Sequence, residues 1–143
     1  MMRTLKYTID IKNILLIVSL LLLVFAFVSC SKKVMFQTSS VVPAARGEVA
    51  VKSDNNNNYN IELQISFLAE PERLEPPKKA YVVWMTSEDN NPINLGQIVG
   101  TSKLKVKFET VSSSKPRKIF ITAEDDASTQ YPGNMLVLET NNF

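Results

Sequence analysis

Few residues in this chain are equipped for chemistry. Its 143 residues include no histidine and a single cysteine, Cys30. Without histidine there is no imidazole base or imidazole metal ligand. One thiol excludes an internal disulfide and a Cys/His zinc cluster. Carboxylates, serines and aromatics remain. Glu124-Asp125-Asp126 follows an apolar run, and Glu88-Asp89 lies in another polar stretch. Hard cations such as calcium take several such oxygens, but the spacing matches no EF-hand or repeat, and both stretches read as solvated turns. Glu70, Glu72 and Glu75 are the raw material of a paired-carboxylate hydrolase. They sit in a proline-rich segment beside Lys78 and Lys79, where nothing fixes their separation. Ser112-Ser113-Ser114 has no base to activate a hydroxyl, and four glycines form no phosphate-binding loop. The expectation is a protein that is not an enzyme and takes no cofactor or metal. The candidate interaction residues are Tyr81, Trp84, Glu124 and Asp125. Tyr81 and Trp84 have opposite parity on one apolar run, so a strand directs them to opposite faces unless a bulge intervenes. Core packing is the default for each.

Charge separates at residue 29. Residues 1–29 hold Arg3, Lys6 and Lys12 against Asp10, whereas the remaining basic and acidic side chains balance. A neutral remainder offers no electrostatic footprint for nucleic acid. Lys103, Lys105 and Lys107 alternate with Leu104, Val106 and Phe108, which describes one solvated face of a strand.

The elements that must position these residues begin with a weakly basic N-terminus. It leads into residues 14–28, apolar except for Ser19. A membrane span needs about 20 such residues, so this run suits the h-region of a secretory signal. Phe27-Val28-Ser29-Cys30-Ser31 then resembles the lipobox of bacterial lipoproteins, with phenylalanine where leucine is usual. That resemblance implies diacylglycerol on the Cys30 thiol, removal of residues 1–29, and a further acyl chain such as palmitate. Two or three acyl chains hold a protein on a membrane effectively permanently, since each buried methylene adds about 0.8 kcal/mol. Residues 30–45 are expected to be the lipidated cysteine and a flexible polar tether, and residues 46–143 a folded domain.

Within that domain the period is two. Strands are expected at 47–52, 59–68, 80–86, 94–99, 103–109, 117–123 and 135–139. Residues 59–68 alternate cleanly, with Ile61, Leu63, Ile65 and Phe67 on one face. Residues 80–86 are nearly continuously apolar, as befits a central strand covered on both sides. Asp54 to Asn58, Asn90-Asn91-Pro92 and Tyr131-Pro132-Gly133 supply turns, and Pro71, Pro76 and Pro77 mark a crossover. Seven short strands at this spacing indicate an all-β, antiparallel Greek-key sandwich of immunoglobulin-like type.

Five segments carry a second resemblance: Leu74-Glu75-Pro76-Pro77, Tyr81-Val82-Val83-Trp84, Asn94-Leu95-Gly96-Gln97, Ile119 through Glu124, and Pro132-Gly133. Together they are similar to the extracytoplasmic domain of anti-sigma-K factors, over roughly residues 47–139. Those factors grip a sigma factor through a cytoplasmic helical domain. Here only about thirteen residues precede the apolar run, so the resemblance implies fold and not anti-sigma activity. The function expected is a lipid-anchored envelope protein, facing the periplasm, whose β-sandwich contacts a protein, peptide or glycan. The alternatives are an accessory role in an envelope signalling system or, below it, a metal-dependent binder or enzyme built on the acidic loops.

Overall fold

The computed structural model describes residues 10–25, 32–100 and 104–143. Cys30 and Lys103 lie outside them. The chain divides into two units, Met1–Cys30 and Ser31–Phe143.

The first unit holds one helix, α1 (Ile11–Phe25), rich in leucine, isoleucine and valine and free of glycine and proline. It begins where the Asp10 carbonyl accepts the amides of Asn13 and Ile14. Fifteen residues at 1.5 Å each span about 22 Å, and among the described residues no helix is long and apolar enough to cross a membrane. Residues 11–19 are exposed on every side.

The second unit contains β1 (Lys32–Met35), β2 (Arg46–Ser53), β3 (Tyr59–Ser66), β4 (Ala80–Thr86), β5 (Pro92–Ile98), β6 (Lys105–Ser112), β7 (Lys118–Glu124) and β8 (Leu136–Glu139). They form two antiparallel four-stranded sheets, in the orders β1-β2-β3-β6 and β5-β4-β7-β8. The all-β sandwich expected from the period-two pattern is the observed fold. Each of the seven expected strands is present, with ends shifted by up to three residues. The inner faces meet in one core that includes Val49, Ile61, Leu63, Ile65, Tyr81, Val83, Met85, Ile119 and Ile121.

One expectation needs correcting. Residues 32–45 are not a flexible tether. Lys32–Met35 pairs along the edge of β2 as β1, and Phe36 then bridges to Thr140 of the other sheet. Ser39, Val42 and Ala45 are buried, the Ser39 hydroxyl accepting the Val42 amide at 2.8 Å. The stretch is lysine- and serine-rich, so its composition hides a short alternation that keeps Phe36 against the core.

The outer faces differ. On the first sheet, Lys33 pairs with Glu48, and Lys107 with Glu62 and Glu109. Hydrogen bonds donated to Glu109 and Glu62 hold the Lys107 ammonium above its usual range, while Gln64 and Lys107 hold the Glu62 carboxyl below its own. This is the solvated lysine face read from the alternation. On the second sheet every residue of β4 from Ala80 to Met85 is buried, so both sides of that strand are covered.

Strand pairing also fixes the two ends of the first sheet. The N-terminus of β1, the 54–58 turn and the start of the 113–117 loop share one end. The 36–45 and 67–79 segments lie at its other end, and Lys78 ties the 67–79 crossover to Asp125 of the 125–134 loop.

Candidate functional site

The covering of β4 organises the site. Regular pairing with β7 places Tyr81 opposite Ala123 and Trp84 opposite Phe120. The register shift at Val83/Trp84 falls on β5, where Val83 faces Gly96 and Trp84 faces Asn94, leaving Leu95 as the extra residue. Because the bulge is on the neighbour, β4 keeps its alternation. Tyr81 points into the inter-sheet core, and Trp84 takes the opposite face, stacked on Phe120 at 6.3 Å between ring centroids. Gly96 sits at φ 126°, a conformation that side chains other than glycine's rarely adopt, with its Cα side open to the Phe108 ring.

From Trp84 a buried polar chain runs along this face. The indole N–H donates to Thr122 Oγ1 at 2.8 Å, and the Thr122 hydroxyl donates onward to Glu124 Oε1. The same oxygen accepts the Gly133 amide at 2.7 Å. A threonine hydroxyl is suited to the middle position because it accepts and donates at once. Gly133 is required by closeness: a Cβ there would stand 2.6 Å from Glu124 Oε2. Across the strand, Asn94 Nδ2 donates to the carbonyls of Ala127 and Thr129, and Asn94 Oδ1 accepts the Gly96 amide. Residues 125–134 are thus fastened at both margins of the face, on β5 through Asn94 and on β7 through Glu124. They cross over Trp84, which is fully buried.

The three consecutive acids therefore do three different things. Glu124 is buried within this chain of hydrogen bonds. Asp125 is exposed and pairs with Lys78 at 2.7 Å, tying the loop to the 67–79 crossover. Asp126 accepts the Ser128 amide and hydroxyl, which lower its carboxyl below the usual range. Among the described residues no three metal-ligating side chains converge. Elsewhere Glu70 pairs with Arg73, and Ser112 and Ser114 close a local turn.

Of the four candidate interaction residues, Asp125 alone is exposed. Tyr81, Trp84 and Glu124 are framework residues, because the sheet face that would present an aromatic platform is roofed by its own loop. The Tyr81 hydroxyl has no hydrogen-bond partner among the described residues, and burial, aided by Glu72, pushes it up to about 12.

Two aromatic residues stand at the surface: Phe67, which the alternation had placed in the core, and Tyr131, in the turn expected for it. Tyr131 is 75% exposed on the fastened loop, and Phe67 is 57% exposed at the end of β3. Phe67 has φ 58°, an unfavourable conformation for a bulky side chain. It turns the ring out of the alternation that had aligned it with Ile61, Leu63 and Ile65. The turn sequence Tyr131-Pro132-Gly133 was the one available signal for Tyr131, and for Phe67 there was none. At the same end an open groove of roughly 530 Å³ lies between Ser40, Val41, Pro76, Lys78, Asn134 and Met135. No family model, curated protein or solved structure matches the chain.

Proposed function

We propose that this chain is an envelope lipoprotein, acylated at Cys30, whose β-sandwich is a non-catalytic binding module facing the periplasm. The observation that carries the binding role is the 125–134 loop, fastened at Asn94 and Glu124 with Tyr131 held exposed above it. Recognition surfaces are characteristically loops fixed by a rigid scaffold, and exposed tyrosine is a favoured anchor for a protein or glycan partner. The neighbouring groove and exposed Phe67 extend that surface. A non-catalytic role is supported by the commitment of Glu124 to Thr122 and Gly133, and of Asp126 to Ser128.

The lipid anchor is supported by the lipobox-like residues before Cys30 and by a short apolar helix ahead of them. The sheet orders support the Greek-key, immunoglobulin-like reading, because β3 to β4, β5 to β6 and β6 to β7 each change sheet. Six of the residues behind the anti-sigma-K resemblance take part in fastening the loop: Trp84, Asn94, Gly96, Thr122, Glu124 and Gly133. We therefore propose a shared framework without a shared partner.

The test is photo-crosslinking in intact envelopes from position 131, with position 64 on the polar face of the first sheet as control. A discrete adduct from 131 and none from 64 is expected. Equal adducts, or adducts from 64 alone, overturn the assignment.

A further inference from the structure

We infer that the domain stands directly on the membrane, with the end formed by the 54–58 turn and the start of the 113–117 loop against the lipid headgroups. The inference rests on acylation at Cys30 and adds the orientation that follows from it. Only Ser31 separates Cys30 from Lys32, the first residue of β1. Two residue steps reach at most about 7 Å, so an acylated Cys30 holds the start of β1 at headgroup level.

Register then carries the constraint across the molecule. Lys32 pairs with Val51 near the end of β2, Ser53 pairs with Tyr59, and Tyr59 pairs with Ser112 at the end of β6. The 113–117 loop leaves β6 directly after Ser112 and so begins at the same level. Strand β2 runs eight residues, about 26 Å at the usual rise. The opposite end, with Phe67, Tyr131 and the groove, is held that far from the bilayer and open to a partner approaching from the aqueous side. Reach, not charge, fixes the orientation: the link through Ser31 constrains this end whether or not Lys32, Lys52 and Lys115 meet anionic headgroups. It should therefore not depend on salt or anionic lipid.

The experiment uses the full chain, processed in cells, extracted and reconstituted into neutral phosphatidylcholine vesicles. Acylation consumes the only native thiol, so Asn56→Cys, Ser113→Cys and Gln130→Cys variants each take one fluorescent label. Headgroup-bound nitroxide should quench positions 56 and 113 several-fold more than 130, at low and high salt alike. A Gly/Ser spacer of about 12 residues after Ser31, with ends roughly 20 Å apart, should erase the difference. Vesicle-bound protein with equal quenching at the three positions, or with 130 quenched most, overturns the orientation and leaves the anchor intact. So does a contrast that survives the spacer. Protein of unmodified mass that fails to float with vesicles overturns the anchor reading itself, and the orientation with it.

Discussion

Thr122→Val is the most informative single change, because it removes one hydroxyl and almost no volume. The hydroxyl joins the Trp84 indole to the Glu124 carboxylate, and both flanking residues are buried. Leaving the indole N–H without an acceptor costs about 1–3 kcal/mol, and a hydrogen bond to a charged group is worth about 1.5–3 kcal/mol. Partial relaxation keeps the two from summing fully, so a loss of about 3 kcal/mol is expected, a large share of the roughly 5–15 kcal/mol typical of a domain. Thr122→Ser retains the hydroxyl and sheds one methyl, worth about 0.8 kcal/mol. Hydrophobicity alone ranks valine above serine at this position, and the hydrogen-bond chain predicts the reverse. Trp84 is the only tryptophan, so urea unfolding followed by its emission reports on the altered site. A Trp84→Phe/Thr122→Val cycle, followed by far-ultraviolet circular dichroism because Trp84→Phe removes the emission, should give a coupling of at least about 1 kcal/mol. Valine as stable as serine, or a coupling near zero, would refute the chain as a source of stability.

Three further outcomes can be checked on the same protein. Gly133→Ala should cost about 1–3 kcal/mol by overpacking, since the new Cβ meets the Glu124 carboxylate, and should expose the loop to proteolysis; an unchanged urea midpoint counts against the fastening. Tyr81 holds its proton up to about 12 against an ordinary value near about 10, so the folded state favours the neutral phenol. That stability is complete below pH ~10 and is lost as pH rises through ~12, a total of about 2–3 kcal/mol. Tyr81→Phe should abolish this alkaline loss and be neutral or stabilising at pH 8, by up to about 1 kcal/mol; matching pH–stability curves for the two proteins would contradict it. Cys30→Ser should release the protein from membranes, and intact mass of the extracted wild type should show residues 1–29 missing and acyl chains added.

What was legible in the sequence follows from where the signal is local. Strands with a clean alternation or a long apolar run declared themselves: Ile61, Leu63 and Ile65 face the core, and β4 occupies the very residues its apolar run marked. Strand β1 escaped because four residues beginning with two lysines carry too few alternations, and what secures them is the edge of β2, over ten residues away. Phe67 was misplaced for a different reason. It continues the parity of Ile65, but the backbone leaves the extended region at that residue, and parity has no meaning past the end of a strand. Trp84 was rightly expected inside a strand covered on both sides. The identity of its cover, a loop some forty residues further along, depends on long-range hydrogen bonds that no local pattern encodes.

The cover on the second sheet's outer face explains what each residue of the acidic run does. A sheet face as apolar as Val82, Trp84 and Phe120 cannot remain exposed without inviting association, so the chain must cover it. A loop that covers such a face brings backbone amides into the dry, and each needs an acceptor. Glu124, already beside Thr122 at the end of β7, accepts the Gly133 amide, while Asn94 donates to two carbonyls from the other margin. The remaining acids then finish the work of turning the chain, Asp125 by pairing with the crossover and Asp126 by accepting from Ser128. Acidic residues at consecutive positions are thus explained one by one by the requirements of a buried roof. What this arrangement leaves outside is the tip of the loop itself, and there the exposed aromatic residue is Tyr131.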